Sequence, residues 1–147
     1  MRELLVAIVL IAALGSTANP GPKEEALQVL EQWTKAFTDS DVDGLVKLYA
    51  PDTLFIGTNS KTVMTTPEEI RKAFEQTLLS NRPRGAKLGD HSVIVVSDTV
   101  VVVTGLDTHT SVRDGTPVSS PGRFTYVIAK RDSDWQIVHL HRSAMPN

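Results

Sequence analysis

The final stretch of the chain, from Arg123 to Asn147, constrains the fold more than any other segment. Two runs rich in β-branched and aromatic residues, Phe124 to Ala129 and Trp135 to Leu140, flank a polar segment from Lys130 to Asp134. This pattern predicts a β-hairpin. Because a lone hairpin is marginally stable in water, the segments before it must pack on its more apolar face.

Side chains alternate between the two faces of a strand, so the hairpin has two distinct faces. The more apolar set, which is expected to face the helices, comprises Phe124, Tyr126, Ile128, Val138, Leu140 and Arg142. On the return strand, Ile137, His139 and His141 are expected to face outward. Arg142 is therefore predicted at the mouth or floor of an internal cavity, where its charge needs an acidic partner or a ligand.

Three helices are predicted before the hairpin. The first repeats apolar residues at helical spacing from Ala26 to Phe37. The second begins after Asp41, an N-cap residue, and is expected to end before Pro51. The third begins with a capping box, in which Thr66 is the N-cap and Glu69 follows three residues later.

Three further strands are predicted, over Leu54 to Ile56, His91 to Ser97 and Thr99 to Arg113. The helices come first in the chain and most of the strands come last. This order is typical of an α+β domain with helices on one face of a curved sheet. The 147 residues, of which 41% are hydrophobic, suit a single domain with its own core.

The N-terminus has the pattern of a secretory signal. An apolar run from Leu4 to Leu14 follows the first charged residues and closes on the small residues Ser16 and Ala18. The run is too short to span a bilayer, which takes roughly 20 residues, so no stable membrane anchor is expected. We expect residues 1–18 to be removed on export, which makes the protein periplasmic or secreted.

Composition excludes several classes of function. A net charge of -2 argues against a nucleic-acid partner, and the absence of cysteine excludes disulfides and thiolate metal sites. His139 and His141 share a strand face and could begin a metal site with His91 or His109, but a third converging ligand is not identifiable. No nucleotide or phosphate-binding motif is present, so neither a metal nor a cofactor is predicted.

Asp107 and His109 are the candidate catalytic residues. They lie two apart on a predicted strand and so share a face, a spacing that suits a general base and its neighbour. The direction of that face is open, because Gly105 could mark a bulge that resets the alternation. The alternative is a pair of polar residues near an exposed strand end.

The run from Arg131 to Pro146, RDSDWQIVHLHRSAMP, resembles the C-terminal hairpin of the association domain of calcium/calmodulin-dependent protein kinase type II. It also resembles bacterial SgcJ/EcaC-type and SnoaL-like proteins of the nuclear transport factor 2-like superfamily. The likeness extends through residues 34–57 and 66–74. It implies an NTF2-like domain over residues 19–147, in which a cone-like curved antiparallel sheet wraps around N-terminal helices and leaves an internal pocket.

The resemblance also implies the residues of that pocket. In the association domain several arginines line the pocket; Arg142 falls on one of them and Tyr126 on another. The match is therefore partial, and it implies a mixed pocket whose ligand-binding candidates are Arg142, Tyr126, Trp33 and Tyr49. A small-molecule ligand is expected, and a carboxylate would suit the guanidinium group of Arg142.

Two functions from different classes remain open, because the superfamily supports enzymes, ligand binders and assembly modules. The first is an exported, oligomeric small-ligand-binding or assembly domain. The alternative is a cofactor-independent enzyme, an isomerase, dehydratase, cyclase or hydrolase acting on a small organic molecule. A homo-oligomer is expected because Val127, Ala129 and Ile137 give the outward sheet face an apolar character.

Overall fold

The computed structural model describes residues 19–146, so the predicted signal segment lies outside the described residues. The elements in chain order are α1 (Pro22–Asp39), α2 (Val42–Lys47), β1 (Tyr49–Ile56), α3 (Pro67–Leu78), β2 (Gly85–Ser97), β3 (Val100–Arg113), β4 (Thr116–Arg131) and β5 (Asp134–Ala144). Among residues 19–146, no helix combines the length and the apolar character that a membrane crossing requires.

The five strands form one curved, unclosed sheet in the order β1-β5-β4-β3-β2. Strands β2 to β5 pair in antiparallel fashion, whereas β1 lies parallel to β5. The sheet is therefore mixed rather than antiparallel throughout. The predicted α+β architecture is confirmed, with the apolar stripes of α1 and α3 packed on one face of the sheet.

The helices form where capping and periodicity predict them. The side chain of Asp41 accepts a hydrogen bond from the Gly44 backbone N–H, and Thr66 with Glu69 forms the predicted capping box. The second helix ends at Lys47, which is earlier than the sequence predicts. Pro51 instead lies in β1, an edge strand where its missing N–H is tolerated.

A bulge in β5 changes which side chains face the core. Ile128 pairs with Ile137 and Val127 pairs with His139, so Val138 is an extra residue on the β5 side. An extra residue shifts the alternation of side chains. As a result Ile137 is fully buried in the core and Val138 is only half-buried, which is the reverse of the sequence prediction for these two residues.

The irregularity near Gly105 belongs to β2 rather than to β3. Leu88 pairs with Asp107 and His91 pairs with Gly105, so the extra residue is in β2, while the β3–β4 register runs without a break. A Cβ on Gly105 would lie 2.7 Å from the Cα of His91, so the bulge needs a glycine there. The alternation of β3 is not reset, and Asp107 points into the interior.

Candidate functional site

A buried ion pair joins β3 to β5. The Nε of Arg142 donates to both carboxylate oxygens of Asp107, at 3.0 Å to Oδ1 and 2.9 Å to Oδ2, and Nη2 lies 2.8 Å from Oδ1. Asp107 is 5% exposed and Arg142 is 8% exposed. The acidic partner that the sequence required for Arg142 is therefore inside the protein.

The two terminal nitrogens of Arg142 also donate hydrogen bonds to residues outside the ion pair. Nη1 donates to the hydroxyl of Thr58 at 2.6 Å, and Nη2 donates to the carbonyl of Ser120 at 2.9 Å. Thr58 follows β1, and Ser120 lies in β4. Two strands, β3 and β4, and the turn after β1 thus hold one guanidinium group, which fixes its orientation.

Gly122 makes this ion pair possible. It is the ladder partner of Asp107 on β4, whereas Arg142 pairs with Phe124, so the arginine reaches Asp107 diagonally across the glycine. A Cβ on Gly122 would lie 2.6 Å from Cζ of Arg142 and 2.8 Å from Oδ1 of Asp107. A side chain at this position would therefore separate the two charged groups.

The neighbouring side chains of Arg142 and His109 keep the Asp107 carboxyl ionised. Burial by itself would raise the pKa of the Asp107 carboxyl, because desolvation disfavours the charged form. The nearby imidazole of His109 and the guanidinium group of Arg142 together outweigh the burial and hold the pKa of Asp107 below its ordinary value. The pair is thus ionised and mutually compensated at neutral pH.

His109 lies beside this pair, and its Nε2 has no hydrogen-bond partner among the described residues. Its ring stacks on Trp33 at 5.8 Å and contacts Phe37 at 4.6 Å between centroids. Nε2 lies 3.4 Å from Oδ2 of Asp107, within ion-pair distance, but is buried and makes no hydrogen bond to the described residues. Burial, with a further contribution from the charge of Arg142, lowers the pKa of His109 even though Asp107 acts in the opposite direction. The imidazole is therefore neutral at pH 7.

Three candidate pocket residues form an aromatic cluster next to His109. Trp33 donates from Nε1 to the Tyr49 hydroxyl at 2.8 Å and meets the Tyr126 ring edge to face at 6.0 Å. All three side chains are at most 4% exposed. Burial raises the pKa of both tyrosines above the ordinary value, so both hydroxyls stay protonated.

The fold thus brings all the sequence-predicted site residues into one interior region. Two grooves of the described surface lie elsewhere, one beside the N-terminal half of α1 and one between α1 and β2. Neither groove is lined by a member of the predicted set, which comprises Asp107, His109, Arg142, Tyr126, Trp33 and Tyr49.

Sequence reasoning missed Thr58, Ser120 and Gly122. The first two carry no motif, since one is a loop threonine and the other contributes only a backbone carbonyl. Gly122 left a signal, because a glycine inside a strand often marks a place where another group approaches closely. The signal is ambiguous because Pro121 precedes it, and a Pro-Gly pair commonly marks a turn.

The histidines of β5 are separate from this site. His139 pairs with Val127 and His141 with Thr125 on the outward face of the sheet. Within residues 19–146, no group of three or more His, Cys, Asp or Glu side chains is arranged to hold a metal ion.

Comparison with known proteins identifies the family. The SnoaL-like domain family matches residues 26–147, so the chain belongs to that family. It is similar to a Xanthomonas campestris protein described as a calcium/calmodulin dependent protein kinase II association domain. Identity is 27%, the TM-score is 0.79, and the match covers 97% of this chain and 99% of that one. The resemblance stated from the final hairpin is confirmed.

Two more distant structures share the fold. An NTF2-like superfamily protein from Salmonella enterica serovar Typhimurium has 23% identity and a TM-score of 0.74 over 86% of this chain and 92% of that one. A Streptomyces avermitilis protein, described as a dehydratase of the NTF2-like family, has 15% identity and a TM-score of 0.76 over 86% and 97%. No curated protein gives a significant match.

Proposed function

We propose that this member of the SnoaL-like family binds a small organic molecule beside His109, in the interior between α1 and the sheet. The observation that carries the proposal is the buried Nε2 of His109, which makes no hydrogen bond to the described residues. A buried polar atom without a partner costs roughly 1–3 kcal/mol, and such atoms are rare unless they have a role.

The surroundings of His109 suit a ligand that combines a ring with a polar group. Trp33 and Phe37 offer aromatic contacts, and a neutral imidazole can donate or accept one hydrogen bond at Nε2. Arg142 is already neutralised by Asp107, so a negative charge on the ligand is not needed. A carboxylate ligand would have to compete with Asp107 for the same donors.

The test measures ligand binding in wild type and in His109→Phe. Phenylalanine keeps an aromatic ring between Trp33 and Phe37 and removes the unpaired nitrogen, so the variant should be at least as stable as wild type. Native mass spectrometry of the protein purified from its source should reveal a retained small molecule in wild type only. Equal retention in both proteins, or no ligand in either, would refute this proposal.

A matched pair of probes tests the need for charge. Benzoate and benzamide share a ring and differ in the negative charge. If Arg142 is compensated as described, the two should bind with affinities within about tenfold of each other, which is 1.4 kcal/mol. A much tighter binding of benzoate that Arg142→Met abolishes would instead support the carboxylate site expected from the sequence.

A cofactor-independent enzyme is the second candidate, favoured by the distance of 3.4 Å between His109 Nε2 and the Asp107 carboxylate. A neutral imidazole beside a fixed carboxylate can accept a proton, because the carboxylate stabilises the imidazolium that forms. Isomerases and dehydratases need such a base. If the retained ligand is converted slowly on incubation, His109→Gln should abolish turnover; ligand binding with no conversion by wild type argues for a binding protein.

We also propose that the protein is exported and assembles as a symmetric oligomer through the outward sheet face. One row of outward residues crosses all five strands, and every member except His139 is apolar. The row comprises Ile94, Val102, Val127, His139 and Leu54. Ile94 is 60% exposed and Leu54 is 47% exposed. A second copy covering this row would bury it, with His139 and His141 near the contact; Ile137 faces the core and takes no part.

Light scattering of wild type and of Ile94→Asp tests the assembly. The charge should dissociate an oligomer that buries Ile94, whereas Leu79→Asp is a matched control because Leu79 is 57% exposed at the end of α3 and off the sheet. A monomeric wild type at micromolar concentration would rule out the oligomer. Export is checked separately by the intact mass of the cell-derived protein, which should lack residues 1–18.

A further inference from the structure

A groove of about 360 Å³ lies beside the N-terminal half of α1, outside the His109 region. Its walls are α1, the end of α2 and the start of β5. Val29, Leu48 and Trp135 supply its apolar lining. The volume is near the lower end of the range of about 300–1,000 Å³ for small-molecule sites, so the groove suits a compact ligand.

Glutamine side chains are concentrated in this groove. The chain has four glutamines, and three of them, Gln28, Gln32 and Gln136, line the groove. Gln28 and Gln32 lie four residues apart, on one face of α1. A primary amide both donates and accepts hydrogen bonds, so the groove presents both kinds of group side by side.

Trp135 is held in a fixed orientation at the groove. Its Nε1 donates to the Glu25 carboxylate at 2.7 Å, and the residue is half-buried. The part of the ring that lines the groove is therefore already ordered. A ligand that packs on a preordered aromatic face loses less binding free energy to the ordering of side chains.

We propose that this groove binds a neutral saccharide. Sugar hydroxyls donate and accept at once, which matches the amides of Gln28 and Gln32, and a sugar ring presents a C–H face that can pack on an indole. The groove also contains Glu25, Asp134 and Lys47, whose formal charges sum to one negative charge. An anionic ligand is therefore disfavoured.

An extended peptide fits the groove less well than a compact sugar. Peptides that bind in extended form usually add to a free sheet edge through main-chain hydrogen bonds. Only the first part of β5, from Asp134 to Gln136, reaches this groove, and it pairs with β4 alone because the ladder with β1 begins at Ile137. An edge of three residues is short for an extended peptide, and the groove is lined mainly by side chains of α1 and of the start of β5, which favours a ligand recognised by its own hydroxyl groups.

The test is a titration of the protein with maltose, cellobiose and chitobiose, followed by the indole N–H signals in two-dimensional NMR. Trp135 lines the groove and Trp33 is in the core, so Trp33 is an internal reference. At least one disaccharide should shift the Trp135 signal to saturation and leave the Trp33 signal in place.

Matched variants assign the binding to the groove. Gln32→Ala lies on an exposed helix face, where alanine preserves folding, and it should weaken binding about fivefold through the loss of one hydrogen bond. Gln76→Ala is the control, because Gln76 is the exposed glutamine outside the groove. The proposal is overturned if none of the disaccharides shifts Trp135 at millimolar concentration. It is also overturned if Gln32→Ala binds as wild type does. A neutral dipeptide amide is titrated in parallel, and a shift of the Trp135 signal by this amide but by no disaccharide would equally overturn the proposal.

Discussion

Arg142→Met tests whether the buried ion pair stabilises the fold. The substitution keeps an apolar stem of similar length but removes every hydrogen bond that Arg142 makes to Asp107, Thr58 and Ser120. Asp107, which is 5% exposed, would keep its charge without its main partner. Removing one member of a buried pair costs about 3–5 kcal/mol. For a domain of this size, that loss lowers the melting temperature by roughly 10–20 °C.

The stability lost in Arg142→Met should depend on pH, because the substitution changes the pKa of His109. In wild type burial lowers the pKa of His109 most, the charge of Arg142 lowers it further, and Asp107 raises it. Removing Arg142 takes away one of the effects that oppose protonation, so the pKa of His109 is higher in the variant than in wild type. The folded variant therefore binds this proton more readily, which stabilises it relative to wild type at low pH, and this gain is lost as the pH rises. The variant should therefore be closer to wild type at pH 5.5 than at pH 8.

Urea unfolding at both pH values, followed by tryptophan fluorescence, measures these differences. Arg71→Met is the control, because Arg71 pairs with Asp43 at the surface, where an ion pair contributes about 0–1 kcal/mol. Asp107→Leu added to Arg142→Met should recover part of the loss, because it removes the unpaired charge. A loss below 1 kcal/mol for Arg142→Met, or an equal loss at both pH values, would show that the pair does not act as described.

Two further predictions concern residues around the pair. Because burial lowers the pKa of His109, the unfolded chain binds a proton there more readily, so wild-type stability should fall as the pH drops below about 6.5, by at most 1.4 kcal/mol per pH unit. His109→Phe should flatten that part of the stability profile; an unchanged slope would contradict the assignment. Gly122→Ala should cost about 1–3 kcal/mol in urea unfolding, because its Cβ would crowd Arg142 and Asp107, and a neutral result would mean that the pair can move apart.

The elements of the fold could be predicted because each left a local signal. The capping box at Thr66 and the apolar stripe from Ala26 to Phe37 depend on residues a few positions apart. The strand boundaries were less visible. β4 runs from Thr116 to Arg131, but Pro117, Pro121 and two serines hide the strand character of its first half.

Counting alternate residues along a strand predicted the correct face where the strand is regular and the wrong face where it contains a bulge. Arg142 was placed inward correctly because Leu140 and Arg142 lie on the same side of the β5 bulge. Ile137 and Val138 lie where the register shifts, so counting back from Leu140 gave them the wrong faces. A single extra residue in a ladder depends on the pairing with another strand, and the sequence of β5 alone carries no information about it.

The candidate site could not be predicted as a unit from the sequence, because its members lie far apart along the chain. Asp107 and Arg142 are 35 residues apart and Thr58 is 84 residues from Arg142, so no local pattern joins them. What joins them is the register of β4, which places Gly122 opposite Asp107 and Phe124 opposite Arg142. Glycine weakens the interior of a strand, since it adds no packing and loses more backbone entropy on folding than other residues do. At position 122 this cost is offset, because the missing side chain leaves the space across which the two charges meet.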